Sequence, residues 1–373
     1  MQIKVIILTE TISPYRIPVF NEIAQNLKEQ FLVLFLGKTE KRQRWKIYKE
    51  RIKFRYEVLP NILFQKKGST PYFFNPTIFY KLIKYSADTV IVSGYYQPSS
   101  FFTIAYTRLF RKPLILWCES TRYDERYNHP MIEAYKRWFV RNCAGYIVPG
   151  KASFEYLILL GAEPKKIHLA PNAVDNDYFT QASDKYREDQ EQFRQSKGYP
   201  KKVFLYVGHL IDQKGISDLL KAFQILSKEQ PHLGLVLIGN GEGEKRYRNF
   251  CRDNQIKNVF FEGFVHQETL PRYYAVADIF ILPTHTDRWG LVLNEAMASK
   301  LPVISSSVAG AAGDLIINGE NGYTYEKGNI EELMETLKKA LNSNRELMGK
   351  KSYEIIQNFS PQRCALGVLE ALP

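Results

Sequence analysis

Cysteine is scarce in this chain and long apolar runs are missing. The four cysteines among 373 residues, Cys118, Cys143, Cys251 and Cys364, lie far apart and form no C-x-x-C pair. Neither a zinc site nor a disulfide framework is implied, and a reduced, cytoplasmic compartment is the expectation. No run of eighteen apolar residues occurs, so no membrane-spanning helix is expected. The opening "MQIKVIILTE" goes straight into a strand-like run without a basic head or a small-residue cleavage site, so no secretory signal is expected either. The glycines of "GNGEGE", at 239, 241 and 243, miss the G-x-G-x-x-G spacing, and G-x-x-x-x-G-K-[ST] is absent. A dinucleotide oxidoreductase or a P-loop enzyme therefore loses ground.

Basic residues are plentiful: 51 against 39 acidic ones, a net charge of +12. Such a balance favours an anionic partner, whether nucleic acid, an anionic lipid surface or a phosphorylated small molecule. The excess is concentrated in residues 38 to 55, "KTEKRQRWKIYKERIKFR", with nine basic and two acidic residues and with Trp45, Tyr48 and Phe54 interleaved. Anionic lipid attracts such a segment, and RNA would bind it nonspecifically; a merely solvated face is the plain alternative. No base-reading motif accompanies the charge, so no specific nucleic-acid partner is expected.

The chain is long enough for two domains. Short apolar runs recur, each followed by a segment of helical spacing: "KVIILT", "FLVLFL", "TVIVS", "PLILWC" and "GYIVP" in the first half, then "VFLYVG", "LGLVLIG", "NVFFEG", "DIFILP" and "PVISSS" in the second. This alternation predicts an α/β architecture with two parallel-sheet, Rossmann-like domains and a cleft between them. The predicted boundaries are 1–178 for the first domain, 179–200 for a polar linker and 201–354 for the second domain, with 355–373 packing back on the first. Asn329, with Glu332 three residues on, predicts the start of a late helix.

Ligands of parallel sheets bind beyond the carboxyl ends of the strands, so the segments after each strand matter most. "THTDRWGLVLNEAMA" follows the run "DIFILP" and sets Asp287 and Glu295 eight positions apart around Gly290. A helix beginning near Gly290 would offer unpaired N–H groups and partial positive charge to a phosphate. A carboxylate before that turn can accept hydrogen bonds from sugar hydroxyls, and one further along can take those of a ribose. The plain alternative is an N-terminal helix carboxylate at Asp287 and a surface residue at Glu295. In "VGHLIDQKG", Gly208 permits close backbone approach, and Lys214 stands at a helix start, where an ammonium is electrostatically disfavoured; a solvated lysine remains the alternative. "NVFFEGFVH" ends a strand in backbone that could cradle a base, at Phe264 and Val265, with core packing the plainer role for Phe260 and Phe261.

Together, "VGHLIDQKG", "LVLIGNGEGE", "VFFEGFV", "ADIFILPTHTDRWGLVLNEAMASKLPVISS" and "LIINGENGYTY" resemble the donor domain of retaining glycosyltransferases of family 4, which have the GT-B fold. "SPYRIPVFNEIA", "LILWCES" and "YIVPGKASFEYLILLGAEPKKIHLAPNAVD" look like the acceptor domain of the same enzymes. The resemblance implies two Rossmann-like domains with sheets facing a central cleft and a C-terminal helix packed on the first. It implies that Asp287 takes the place of the first of two motif glutamates and meets the transferred sugar, while Glu295 holds the ribose. It implies that backbone N–H groups around Trp289, Gly290, Leu291 and Val292 bind sugar and diphosphate, that Lys214 neutralises the diphosphate, and that Gly208 and His209 border it.

Where many relatives carry an arginine, this chain has His209; Arg288 or Arg16 is the candidate replacement cation. Glu119 and Ser120 occupy a position that often approaches the sugar, with pairing of Glu119 to Arg122 or Arg126 as the alternative. The implied activity is metal-independent, cofactor-free, retaining transfer of a hexose-type sugar from a nucleotide diphosphate to a glycan or lipid-linked glycan, in surface polysaccharide or lipopolysaccharide synthesis. The implied location is cytoplasmic and peripheral, on the anionic inner membrane face. A nucleotide-sugar epimerase of the same fold and a catalytically silent sugar-nucleotide-binding module are the competing readings.

Overall fold

A computed structural model describes residues 3–38, 48–64, 71–124 and 129–373. Residues 39–47 of the basic stretch, Trp45 among them, and Arg126 lie outside the described residues. The chain divides into two compact units, 1–173 with 361–373, and 174–360.

The first unit contains strands β1 (Val5–Thr9), β2 (Phe31–Phe35), β3 (Tyr56–Val58), β4 (Ile62–Phe64), β5 (Tyr72–Phe74), β6 (Thr89–Ser93), β7 (Leu114–Trp117), β8 (Gly145–Val148) and β9 (Ile167–Leu169). Seven of them form one parallel sheet in the order β3-β2-β1-β6-β7-β8-β9, while β4 and β5 make a separate antiparallel pair. Strand side chains alternate between faces, and the near-continuous apolar runs supply both. Ile6, Leu8, Val90, Val92, Leu114 and Leu116 point to one core, shared with helices Ile78–Tyr85, Ser99–Leu109, Pro130–Arg141 and Lys151–Leu160. Val5, Ile7, Ile91, Ile115 and Trp117 point to the other, shared with helices Arg16–Leu27 and Pro361–Glu370.

The C-terminal helix thus belongs to the first unit, as the sequence implies. Gln362 donates to Glu22 at 3.0 Å, and Cys364 and Val368 are buried. Gly367 is required there: a Cβ would stand 2.0 Å from the Leu169 carbonyl oxygen.

The second unit contains β10 (Lys202–Val207), β11 (Leu233–Ile238), β12 (Val259–Gly263), β13 (Ile279–Leu282), β14 (Val303–Ser306) and β15 (Gly322–Tyr325), all parallel, in the order β12-β11-β10-β13-β14-β15. All ten apolar runs read from the sequence are strands. The predicted cap is present, with Asn329 Oδ1 accepting from the Glu332 N–H at 3.0 Å.

The predicted linker at 179–200 is not one. Helices Asn176–Arg187 and Gln190–Lys197 are integral to the second unit. Phe179 packs edge-on to Tyr274 at 6.0 Å, Ser183 bonds Ser299 at 2.8 Å, and Arg194 donates to the Val276 carbonyl at 3.1 Å. Each helix buries one aromatic and anchors itself with polar side chains, which an average over composition conceals. The unit boundaries accordingly fall at Ala173/Val174 and Ser360/Pro361 rather than near 178 and 355. Asp175 caps the first of these helices, its Oδ1 accepting from the Tyr178 N–H at 3.0 Å.

Candidate functional site

The strand order of the second unit reverses direction between β10 and β13, and open parallel sheets bind ligands at the carboxyl ends of the strands flanking such a point. The two segments that leave these strands, 208–215 and 283–290, are clamped together. The Gln213 carbonyl accepts from the His285 N–H at 2.8 Å and from Thr284 Oγ1 at 3.1 Å. Gly215, with φ +65°, lets the chain pass: a Cβ there would lie 1.9 Å from the Pro283 carbonyl oxygen.

This clamp brings Lys214 to Asp287, with Nζ 2.5 Å from Oδ2 and both side chains about one-fifth exposed. The Trp289 N–H donates to the other Asp287 oxygen at 3.4 Å, so it serves this carboxylate in the structure. Gly290 follows at φ +95° and caps helix Leu291–Ala298. A Cβ at Gly290 would meet Leu282 Cδ2 at 2.7 Å. The first intrahelical bond comes from Leu293 to the Gly290 carbonyl at 2.8 Å, so the N–H groups of Leu291 and Val292 precede the hydrogen-bonded turn. Behind the loop, the Gly310 N–H donates to the Asp287 carbonyl and the Ala311 N–H to that of Trp289, both at 3.0 Å.

Tyr206 lies beneath these segments, fully buried, and donates to the His209 carbonyl at 2.8 Å. Burial, followed by the charge of Asp287, pushes its phenol well above its ordinary pKa, so it stays a neutral donor. The His209 side chain is exposed, and Arg288 is half-buried. Phe264 is exposed beyond the end of β12, its ring edge-on to His266 at 5.0 Å, and Val265 is half-buried.

Glu295 is the residue expected at the ribose. It is fully buried, and the Tyr274 hydroxyl donates to its Oε2 at 2.7 Å. It lies in the interior behind the helix start because the fifth residue of this short helix points into the unit, where the Tyr274 hydroxyl satisfies one of its carboxylate oxygens. The surface-residue alternative fails for the same reason. The Trp289 ring is buried as well, its Nε1 donating to Asn294 at 2.9 Å. Gln213, Tyr274 and Thr284 had no signal in the sequence, since each acts through a partner distant in the chain.

In the first unit the structure pairs Arg16 with Glu119, and the Arg16 guanidinium lies 4.1 Å over the Trp117 ring. Arg16 is thereby committed to Glu119, and the Arg122 guanidinium instead faces the Tyr123 ring. Ser120 is half-buried near the buried Tyr95 phenol, which burial above all holds well above its ordinary pKa. Among the described residues no group of three or more His, Cys, Asp or Glu is arranged to hold a metal ion.

Residues 188–358 match the family model described as glycosyl transferases group 1, and residues 22–178 match that of glycosyltransferase family 4. The chain is 33% identical over 165 residues to a Staphylococcus aureus capsular polysaccharide biosynthesis glycosyltransferase, CapM, covering 43% of each protein. It is 29% identical over 234 residues to the mannosylfructose-phosphate synthase of Agrobacterium fabrum, covering 60% of this chain and 49% of that enzyme. The matched stretches span less than half the length of these curated relatives. Among solved structures, Anabaena HepE in complex with UDP and glucose superposes with a TM-score of 0.75 at 19% identity, covering 100% of this chain and 99% of that one. A lipopolysaccharide outer core galactosyltransferase, WaaB, gives 0.72 at 17% identity, covering 99% of each chain. At such identities these two likenesses speak for the fold.

Proposed function

Because the chain belongs to the GT-B glycosyltransferases, group 1 in its second half and family 4 in its first, we propose that it transfers a sugar from a nucleotide diphosphate sugar to a glycan or lipid-linked glycan. The observation that carries this reading is the Lys214–Asp287 pair at the strand reversal, directly before the glycine-started helix. A diphosphate laid against the Leu291 and Val292 N–H groups draws Lys214 from Asp287, and the freed carboxylate accepts a hydroxyl of the sugar.

In the transfer step the anomeric C–O bond breaks and the diphosphate leaves with the electron pair. The acceptor oxygen bonds the anomeric carbon from the same face, and its proton passes to the departing diphosphate, so the configuration is retained. Charge grows on the diphosphate in the transition state, where Lys214 and the helix N–H groups stabilise it. Loss of one preorganised donor of this kind typically costs about 3 to 4 kcal/mol. Lys214 supplies the cation, so the reaction requires neither a divalent metal nor a cofactor. Glu295 acts in this scheme by fixing the helix from behind. The acceptor belongs to surface polysaccharide or lipopolysaccharide synthesis, and the enzyme works on the cytoplasmic side, peripherally attached to the membrane. CapM, a capsular polysaccharide biosynthesis relative, supports the surface-polysaccharide part of that reading.

HepE has been solved with UDP-glucose, so UDP-sugars are the first donors to test. Thermal denaturation is followed with UDP-, GDP- and ADP-sugars for the wild type and Lys214→Ala. One nucleotide class stabilises the wild type and fails to stabilise the variant. Equal stabilisation of both proteins, or none by any donor, overturns the assignment.

A further inference from the structure

Exposed apolar surface is distributed unevenly. Of the eighteen large apolar side chains exposed among the described residues, fourteen belong to the first unit and four to the second. Within the first unit, the four helices on the β4–β5 side of the sequence (78–85, 99–109, 130–141 and 151–160) carry eight of them, and the two helices of the opposite layer carry one. The same four helices hold seven Lys and Arg against two Glu. Scattered exposed leucines need no explanation, but a contiguous patch does.

The patch has a defined centre. Met131, Tyr135 and Trp138 follow one another at helical spacing on one face of helix Pro130–Arg141, with Met131 75% and Trp138 41% exposed. Phe101, 52% exposed on the neighbouring helix, stacks on Tyr135 at 5.1 Å and on Trp138 at 6.2 Å. Leu109, two turns further along that helix, is 68% exposed. Arg108, Arg137 and Arg141 are exposed beside this strip. The inner end of the strip leads toward the acceptor-side residues: the Tyr135 hydroxyl donates to the Tyr95 carbonyl at 2.7 Å, and the Tyr95 phenol lies near Ser120, next to Glu119.

We propose that the outer face of helices 99–109 and 130–141 is a membrane-docking surface that seats Phe101, Leu109, Met131 and Trp138 in the interfacial layer of an anionic lipid bilayer. Aromatic and apolar tips enter the headgroup boundary while the flanking arginines meet lipid phosphates. A second copy of the chain is the poorer occupant, because a two-fold contact would set this cationic face against itself. The proposal deepens the lipid-linked-acceptor reading and rests on it for its purpose: a bilayer held here delivers an anchored acceptor beside Ser120 and Glu119.

The test is co-sedimentation of the full chain with phosphatidylglycerol-containing vesicles and with pure phosphatidylcholine vesicles, alongside Phe101→Ser/Trp138→Ser and Arg137→Ser/Arg141→Ser. The wild type partitions onto anionic vesicles, and the aromatic double variant loses at least about tenfold in partition coefficient. The arginine variant weakens binding and flattens its salt dependence. Both variants keep the wild-type thermal shift with the donor nucleotide, which shows that they fold. Undiminished vesicle binding by the aromatic variant overturns the proposal, as does binding lost only on neutralising Lys41, Arg42, Arg44 and Lys46. Lipid-free self-association abolished by the aromatic variant assigns the face to a second copy and also overturns it. Vesicle binding without any nucleotide response would instead condemn the transferase reading and leave this surface standing.

Discussion

Substituting Gly215 by alanine separates close approach from backbone conformation, because Gly198 provides a matched control. Gly215 has φ +65° and Gly198 φ +67°, so both pay the left-handed penalty for a Cβ. A Cβ at Gly198 meets nothing within 4 Å, whereas at Gly215 it lies 1.9 Å from the Pro283 oxygen and 2.8 Å from its carbon. The left-handed penalty is about 1 to 2 kcal/mol, offset by about 0.4 to 1 kcal/mol from the stiffer unfolded chain. Gly198→Ala therefore costs about 1 kcal/mol. At Gly215 the obstacle is backbone, and separating the two segments adds about 1 to 3 kcal/mol. With a shift of about 2 to 4 °C per kcal/mol for a domain this size, Gly198→Ala lowers Tm by a few degrees and Gly215→Ala by roughly 5 to 15 °C. The displacement also parts Lys214 from Asp287, and misplacement by about 1 Å costs about 10²-fold in rate. Differential scanning calorimetry and a donor-turnover assay on both variants check this. A Gly215→Ala protein no less stable than Gly198→Ala, with unimpaired turnover, would refute the claim that these two segments are held in contact.

Three further outcomes follow from the same geometry. Lys214→Ala and Asp287→Asn each lower kcat by about 10²- to 10³-fold; steady-state kinetics check both. Tyr274→Phe removes the donor to a buried carboxylate and costs about 1 to 3 kcal/mol by denaturant unfolding, an effect that Glu295→Gln in the same background reduces. Glu262 is held below its ordinary value of 4.5: burial opposes ionisation, but hydrogen bonds from Lys197 and Tyr273 outweigh it. Since the folded pKa lies below the unfolded one, its contribution is complete above about pH 4.5 and is lost as pH falls through the folded value. Thermal melts of wild type and Glu262→Gln therefore differ by a constant amount near neutrality and converge in acid.

The pattern of elements was legible because burial on both faces of a parallel sheet demands uninterrupted apolar strands, and ten such runs stood out. The short strands β3, β4, β5, β9 and β15, of three or four residues each, lie below what periodicity resolves. Helices 176–187 and 190–197 were mistaken for a linker because single buried residues, Phe179 and Phe193, decide their packing. At the candidate site, Gly290 and Lys214 were readable from local chemistry: a glycine before a helix, a lysine against a helix dipole. Glu295 was not, since sequence spacing says that a carboxylate lies on a helix and not which way it faces.

The sequence by itself determined two runs of strand–helix alternation, the glycine before the helix at 290, the capped helix at Asn329 and the excess of cationic charge. Each is a local property, set by side-chain periodicity or backbone freedom over a few residues. Only tertiary structure decided which distant groups meet: Lys214 with Asp287 across 73 positions, and Arg16 with Glu119 across 103. It alone also buried Glu295 against Tyr274 and gathered Phe101, Tyr135 and Trp138 into one exposed strip. These outcomes depend on the order in which strands join the sheet and on which helix face finds the core, and long-range packing fixes both.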